Sequence, residues 1–122
     1  MNPSKEPTKE SVSSGLFGPY LLTDYDVHHN LIIGERGVFA LGFTGKDGVF
    51  YIDRVGKSEK SLIDTLLKYE GMYKEFKFKF FASEKACYEK ECELFHLFKP
   101  RDNIAHPQAP KGIRLKCPTC GL

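Results

Sequence analysis

The sequence has no tryptophan, two methionines, four cysteines, a net charge of only +2, and no apolar run long enough for a membrane helix. The missing tryptophan excludes nothing. The missing run excludes a membrane-spanning helix, which needs roughly 20 consecutive apolar residues. With 18 basic and 16 acidic residues, total charge argues for no particular partner. The opening "MNPSKEPTKESVSSG" has no apolar h-region, so it does not read as a secretory leader. Residues 1–14 are expected to be a disordered lead, and 15–122 a single domain. Four cysteines without a leader point to a reducing, cytoplasmic setting, where cysteine is more often a ligand or a core residue than half of a disulfide.

What is present is the composition of a globular chain, 41% hydrophobic and 28% charged over 122 residues, enough for one modest core. After the lead, "GLFGPYLLTDYDVHHNLIIGERG" is punctuated by Gly and Pro, and Thr23 can cap a short helical turn from Asp24. Residues 37–43 and 48–56 read as a hairpin, rich in Val, Phe, Tyr and Ile, with Gly45 and Asp47-Gly48 supplying the turn. From Ser58 the period changes: Leu62, Leu66 and Tyr69 recur at helical spacing, and Gly71 is placed to end the helix. "YKEFKFKFFAS" alternates, with Phe76, Phe78 and Phe80 on one face and Lys77 and Lys79 on the other, which predicts a half-buried strand. Ser83 caps a helix over 84–98 that Pro100 stops. The predicted fold is α+β: a small sandwich with a short antiparallel or mixed sheet of roughly three strands, flanking helices and an irregular tail.

On a helical wheel of 84–98, Cys87, Tyr88, Leu94, Phe95 and Phe98 form an apolar stripe with Glu91 at its centre. A buried carboxylate costs several kcal/mol unless it is paired or bound to a cation. Glu91 therefore faces a Lys or Arg, an open cleft, or a hard cation such as Mg²⁺. Cys92 and His96 flank the stripe one turn apart. The tail supplies "CPTC", Cys117 and Cys120, with the tight spacing of a zinc knuckle. Cys92, His96, Cys117 and Cys120 are the predicted zinc ligands, with His106 of "AHP" the substitute if His96 is not used. The competing readings are a redox CxxC, whose βαβ context is missing, and a Cys92 packed as a small hydrophobe. A closed site of this kind is structural.

These elements, with "GVF…RVGKS", "ACYEKECELFHLFKPRDN", "GPYLLT" (18–23), His106-Pro107, Pro110-Lys111-Gly112 and Cys117-Pro118-Thr119-Cys120, make the chain resemble the GIY-YIG nuclease superfamily. The match is to a small GIY-YIG-like branch with a C-terminal CPxC, and it runs from about Gly18 to the end. The resemblance implies hydrolysis of a nucleic-acid phosphodiester with one divalent metal, Mg or Mn. Two strand tyrosines handle the attacking water, a helix arginine stabilises the transition state, a glutamate holds the metal and an asparagine closes the site.

Carried over residue by residue, the glutamate is Glu91, the asparagine Asn103, and the glycine with its basic-Ser pair Gly56, Lys57 and Ser58. The first tyrosine falls on Phe39, which has no hydroxyl. The second falls on Arg54, and the helix arginine on Asp64. Strand alternation sets Tyr51 and Arg54, three apart, on opposite faces unless a bulge intervenes, and sets Asp53 toward solvent. Three departures in five positions lead to the expectation of a nuclease-like domain that binds nucleic acid with weak or no cleavage, since catalytic groups fail as a unit. Lys57, Lys77, Lys79 and Arg101 are the candidate nucleic-acid contacts. The alternatives are an active endonuclease using Glu91, Arg54 and either Tyr51 or one of His28 and His29, and a non-catalytic scaffold for a protein partner.

Overall fold

A computed structural model describes residues 6–121. In chain order the elements are β1 (Thr8–Lys9), β2 (Phe17–Leu21), α1 (Asp24–Asn30), β3 (Gly37–Thr44), β4 (Phe50–Ser58), α2 (Leu62–Leu67), β5 (Glu75–Phe80) and α3 (Glu84–Phe98). The strands form one antiparallel sheet in the order β1-β4-β3-β5-β2. Five strands, not three, replace the expected count. The α+β class stands, and none of the described helices is long and apolar enough to cross a membrane.

Alternation on the central strands divides the core in two. Phe39, Leu41, Phe76 and Phe78 point to one face, where α1 and α2 supply Val27, Leu62, Ile63 and Leu66. Val38, Ala40, Phe50, Ile52 and Val55 point to the other, covered by Cys87, Leu94 and Phe98 of α3. Each large side chain so buried contributes about 1.5–3 kcal/mol. The helices begin at residues whose side chains accept the backbone amide three positions on: Thr23, Ser61 and Ser83. α3 ends at Lys99, which takes a left-handed conformation (φ 43°) just before Pro100.

The segment expected as a lead is in part structural. Residues 1–5 lie outside the described residues, but Thr8 and Lys9 add β1 to the free edge of β4. Glu10 accepts from the Lys77 ammonium, and Ser14 is buried. The strand β2 has no signature in the sequence, because Gly18 and Pro19 interrupt any periodicity that would announce it.

One irregularity decides where the site residues point. On β3 and β4 the register runs Leu41 opposite Arg54 and then Gly42 opposite Ile52, leaving Asp53 as an extra residue in β4. This bulge requires Gly42, because a Cβ there would come within 1.8 Å of the Tyr51 carbonyl oxygen. Its effect is to reverse the alternation. Tyr51, stacked on Phe43 with ring centroids 5.3 Å apart, and Arg54, opposite Leu41, share the face of Phe39. The expected placement of Tyr51 and Arg54 on opposite faces is overturned by that extra residue. Asp53 does not face solvent either. It is buried and pairs with Arg101 at 2.9 Å.

A candidate metal centre and an arginine-lined cleft

Residues 99–121 follow α3 without regular secondary structure, and Asp102 and Asn103 lie against the edge of β4 beyond β1. Three polar devices hold the first part of this tail. The Arg101 guanidinium pairs with Asp53, the Asp102 amide donates to the Asp53 carbonyl at 2.9 Å, and the Asn103 side chain takes both backbone groups of Val55. Its Oδ1 accepts from the Val55 amide at 2.8 Å and its Nδ2 donates to the Val55 carbonyl at 2.9 Å. Asn103 thus continues the sheet in place of a strand, satisfying two edge groups that burial would otherwise leave unmade.

Beside this edge lies an open cleft of about 530 Å³ lined by Arg54, Met72, Tyr73, Asp102, Asn103 and Ile104. Arg54 donates from Nε to the Tyr73 hydroxyl at 3.0 Å, and that hydroxyl donates to Asp102 Oδ2 at 2.7 Å. The guanidinium carbon stands 5.5 Å from the centroid of the Tyr69 ring. Among the described residues no carboxylate lies within ion-pair distance of Arg54. Burial pushes the Tyr73 hydroxyl above its ordinary pKa, its bond to Asp102 adds to this, and the nearby Arg54 works the other way.

Glu91 is buried, as its position on the helix implies, but it is not part of that cleft. It projects from α3, across the sheet from Phe39 and Arg54, and its Oε1 lies 3.8 Å from Lys57 Nζ. That distance is an ion pair and too long for a hydrogen bond, and the oxygen has no hydrogen-bond partner. Lys57 is held more closely by Glu59, at 2.7 Å. Burial is the main cause that raises the Glu91 pKa to about 7, with Lys57 pulling it down and Glu59 pushing it up.

The four positions that the nuclease resemblance singles out therefore do not share one surface. Phe39 is a core ring packed on Gly56, where a Cβ would meet it at 2.5 Å. Arg54 and Asn103 line the cleft, and Glu91 sits with Lys57 on the opposite side. Tyr51 donates to Asp47 at 2.7 Å, and Asp64 is exposed on α2. His28 and His29 are exposed on α1.

The lysines expected to meet nucleic acid are largely engaged. Lys77 lies with Glu10 and over the Phe50 ring, Lys79 near the Phe17 and Phe81 rings, Lys57 between two glutamates, and Arg101 on Asp53. The basic residues left exposed are others, including Lys74, Lys99, Lys111, Arg114 and Lys116.

The tail ends in a second cluster. The ligand atoms of His96, His106, Cys117 and Cys120 all lie within 4.8 Å of one another. α3 presents His96, the irregular segment presents His106, and the Cys117–Cys120 knuckle closes with the Gly121 amide donating to the Cys117 carbonyl at 2.8 Å. The set differs from the predicted one by a single exchange: His106 stands where Cys92 was expected. Cys92 packs instead beneath the knuckle, fully buried with Tyr88 and Cys117. Helical spacing predicts that Cys92 joins His96, but only His96 of the two belongs to the donor group. It could not reveal that the "AHP" segment folds back far enough to bring His106 in.

The donor set fits a metal ion. His96 Nε2 is buried with no hydrogen-bond partner, the kind of orphaned lone pair a metal satisfies. The His106 Nδ1 is occupied by the Pro107 carbonyl at 2.7 Å, which leaves Nε2, 3.4 Å from Cys120 Sγ, to serve as the ligand atom. Burial works upward on the Cys117 thiol, but the Cys120 and Thr119 amides and the His106 ring outweigh it and hold it below the usual thiol range. Two imidazoles and two cysteine sulfurs so grouped are compatible with zinc. The chain matches no family model, no curated protein and no solved structure.

Proposed function

We propose that this chain is a zinc-clipped, nuclease-like domain that binds nucleic acid in a reducing, cytoplasmic setting and does not cleave it. The observation that carries the reading is Arg54. It is a guanidinium in an open cleft, oriented by Tyr73 and backed by Tyr69, and among the described residues its carboxylate neighbour, Asp102, reaches it through the Tyr73 hydroxyl and not as a direct ion pair. A cation so prepared suits a phosphodiester, whose oxygens match the guanidinium fork. Binding without hydrolysis is supported by the separation of parts. The carboxylate that would hold Mg²⁺ or Mn²⁺, Glu91, is across the sheet from Arg54, and Phe39 has no hydroxyl to move a proton.

Zinc is the metal we assign to His96, His106, Cys117 and Cys120. Bound there it would supply no reaction chemistry, because four protein ligands leave no open position. The clip ties the tail to α3 and so keeps Asp102 and Asn103 in the wall of the cleft.

Titration of labelled single-stranded, duplex and branched DNA and RNA tests the reading. Binding that weakens steeply with salt, and about tenfold or more on Arg54→Gln, is expected. No cleavage is expected with Mg²⁺ or Mn²⁺. Cleavage abolished by Glu91→Ala would establish an active nuclease instead. Absence of binding to any nucleic acid would favour a protein partner, a reading to which exposed Tyr25, Ile32 and Ile33 around α1 lend support.

A further inference from the structure

We propose that the nucleic acid bound here is single-stranded, and that it crosses the hairpin end of the sheet with a base on the stacked rings of Phe43 and Tyr51 and the adjoining phosphate on Arg54. The inference rests on the reading above and names its substrate class. α1 and α2 cover the face of Phe39 and Leu41 but stop short of the hairpin end. Phe43 and Tyr51, the next residues of that face, belong to none of the apolar clusters and are half-exposed. Their rings are stacked with centroids 5.3 Å apart and planes within 6° of parallel. The β3–β4 turn fixes the pair. Asp47 accepts from the Tyr51 hydroxyl at 2.7 Å, and Gly45 packs against the Tyr51 ring, which a Cβ there would approach to 2.6 Å.

A cross-strand aromatic pair steadies a hairpin wherever it occurs. What sets this one apart is Arg54, the next residue of β4 on the same face. Tyr51 lies opposite Phe43 and Arg54 opposite Leu41, with Asp53 squeezed out between them. Two residues along β3 separate the pairs, roughly 7 Å of strand, a span that one nucleotide can bridge. The bulge creates this juxtaposition. Without it Tyr51 would point toward α3, and ring and cation would occupy opposite sides of the sheet.

Rings beside a guanidinium select for an unpaired strand. Every base has a π-face to stack on an aromatic ring, but in a duplex those faces are already covered by the neighbouring bases. The Arg54 cleft, at about 530 Å³, is the size of a small-ligand site, with room for a nucleotide and not for a duplex. Met72 and Ile104, which line it, are 64% and 90% exposed, so the cation has apolar surface beside it within the cleft as well. At the hairpin end Lys9, Lys46 and Lys74 outnumber Asp47 and Glu75, and Asp47 is paired with Lys9 at 3.3 Å. That balance suits a phosphate backbone.

The chain has no tryptophan, so Phe43→Trp places a single indole in the stack. The full-length variant is titrated with a mixed-sequence 12-mer as single-stranded DNA, as single-stranded RNA and annealed to its complement. Either single strand should quench the indole emission as a base stacks on it, and the duplexes should leave it near the free value. In wild type the single strands should bind at least about tenfold more tightly than the duplexes, and Phe43→Ala should lose about tenfold toward the single strands. Should Phe43→Ala fail to fold, Phe43→Leu, which keeps an apolar side chain without a ring, carries the same measurement.

Equal affinity for single strand and duplex, an indole unchanged by bound oligonucleotide, or wild-type affinity in the ring-less variant overturns the proposal. If Arg54→Gln weakens binding while loss of the Phe43 ring does not, the domain binds nucleic acid by another path and this inference alone falls. If no oligonucleotide binds at all, the nucleic-acid reading falls with it.

Discussion

The sheet and the tail of this molecule are ordered by different physics. The five strands and three helices are held by apolar residues that repeat at the period of their own element, so that each face of the sheet finds a helical cover. Residues 99–121 have no such repeat. They are held by one ion pair, one asparagine, one edge amide, a little apolar packing at Pro100, Ala109, Leu115 and Cys117, and a group of two histidines and two cysteines placed to hold a metal. Burial is spread over many residues and tolerates the loss of one. A few directional bonds do not. The cleft lies at the seam between the two regions, with Arg54 supplied by the sheet and Asp102 and Asn103 by the tail, so its integrity depends on the region with the fewest supports.

The largest effect is expected from attacking the tail where its support is most concentrated. Chelation of zinc, or Cys117→Ser, should expose residues beyond about 104 to protease while the sheet stays protected, because structural zinc contributes on the order of 10 kcal/mol. Equal protection with and without metal would show that the tail has supports of its own. Gly42→Ala attacks the sheet at the bulge between β3 and β4. Against a 1.8 Å approach to the Tyr51 carbonyl, the bulge must rearrange, and a loss of about 3 kcal/mol or more in denaturant unfolding is expected. Wild-type stability would mean that the strands re-register freely.

Glu91 gives a pH-dependent contrast. Its pKa is about 7 folded against an ordinary value of 4.5. The folded state thus holds this proton more tightly, and stability falls as pH rises from about 4.5 through about 7, by at most roughly 3 kcal/mol. Glu91→Gln, which cannot ionise and leaves Lys57 paired with Glu59, should be more stable than wild type at pH 8 and equal to it below about pH 5. A difference independent of pH would show that the carboxylate is already compensated. The smallest expected effect is Asn103→Ala, which leaves the Val55 amide and carbonyl unmade at about 2 kcal/mol. Unfolding midpoints check it. A further drop in nucleic-acid affinity would confirm the shared seam.

Residues that signal through their neighbours in sequence were legible. Ser83 before Glu84 and Pro100 after Lys99 bracketed α3 to the residue, and the Phe–Lys alternation marked β5. The burial of Glu91 followed from its place among Cys87, Leu94 and Phe98. The cysteine knuckle and His96 were legible as members of a group that could hold a metal for the same reason, their spacing being short. The fate of the lysines was not, since Lys77 meets Glu10 and Lys57 meets Glu91 across gaps of tens of residues.

By itself the sequence determined periods, caps and short-range ligand spacing, because each depends on backbone geometry within one or two turns. Only the tertiary structure decided that Asp53 would be squeezed out of register above Gly42, turning Arg54 to the face of Tyr51. It also decided that His106, in place of Cys92, would join His96 and the two knuckle cysteines, and that Asn103 would complete a sheet edge. These depend on which distant strands and loops meet, and a local pattern carries no record of that.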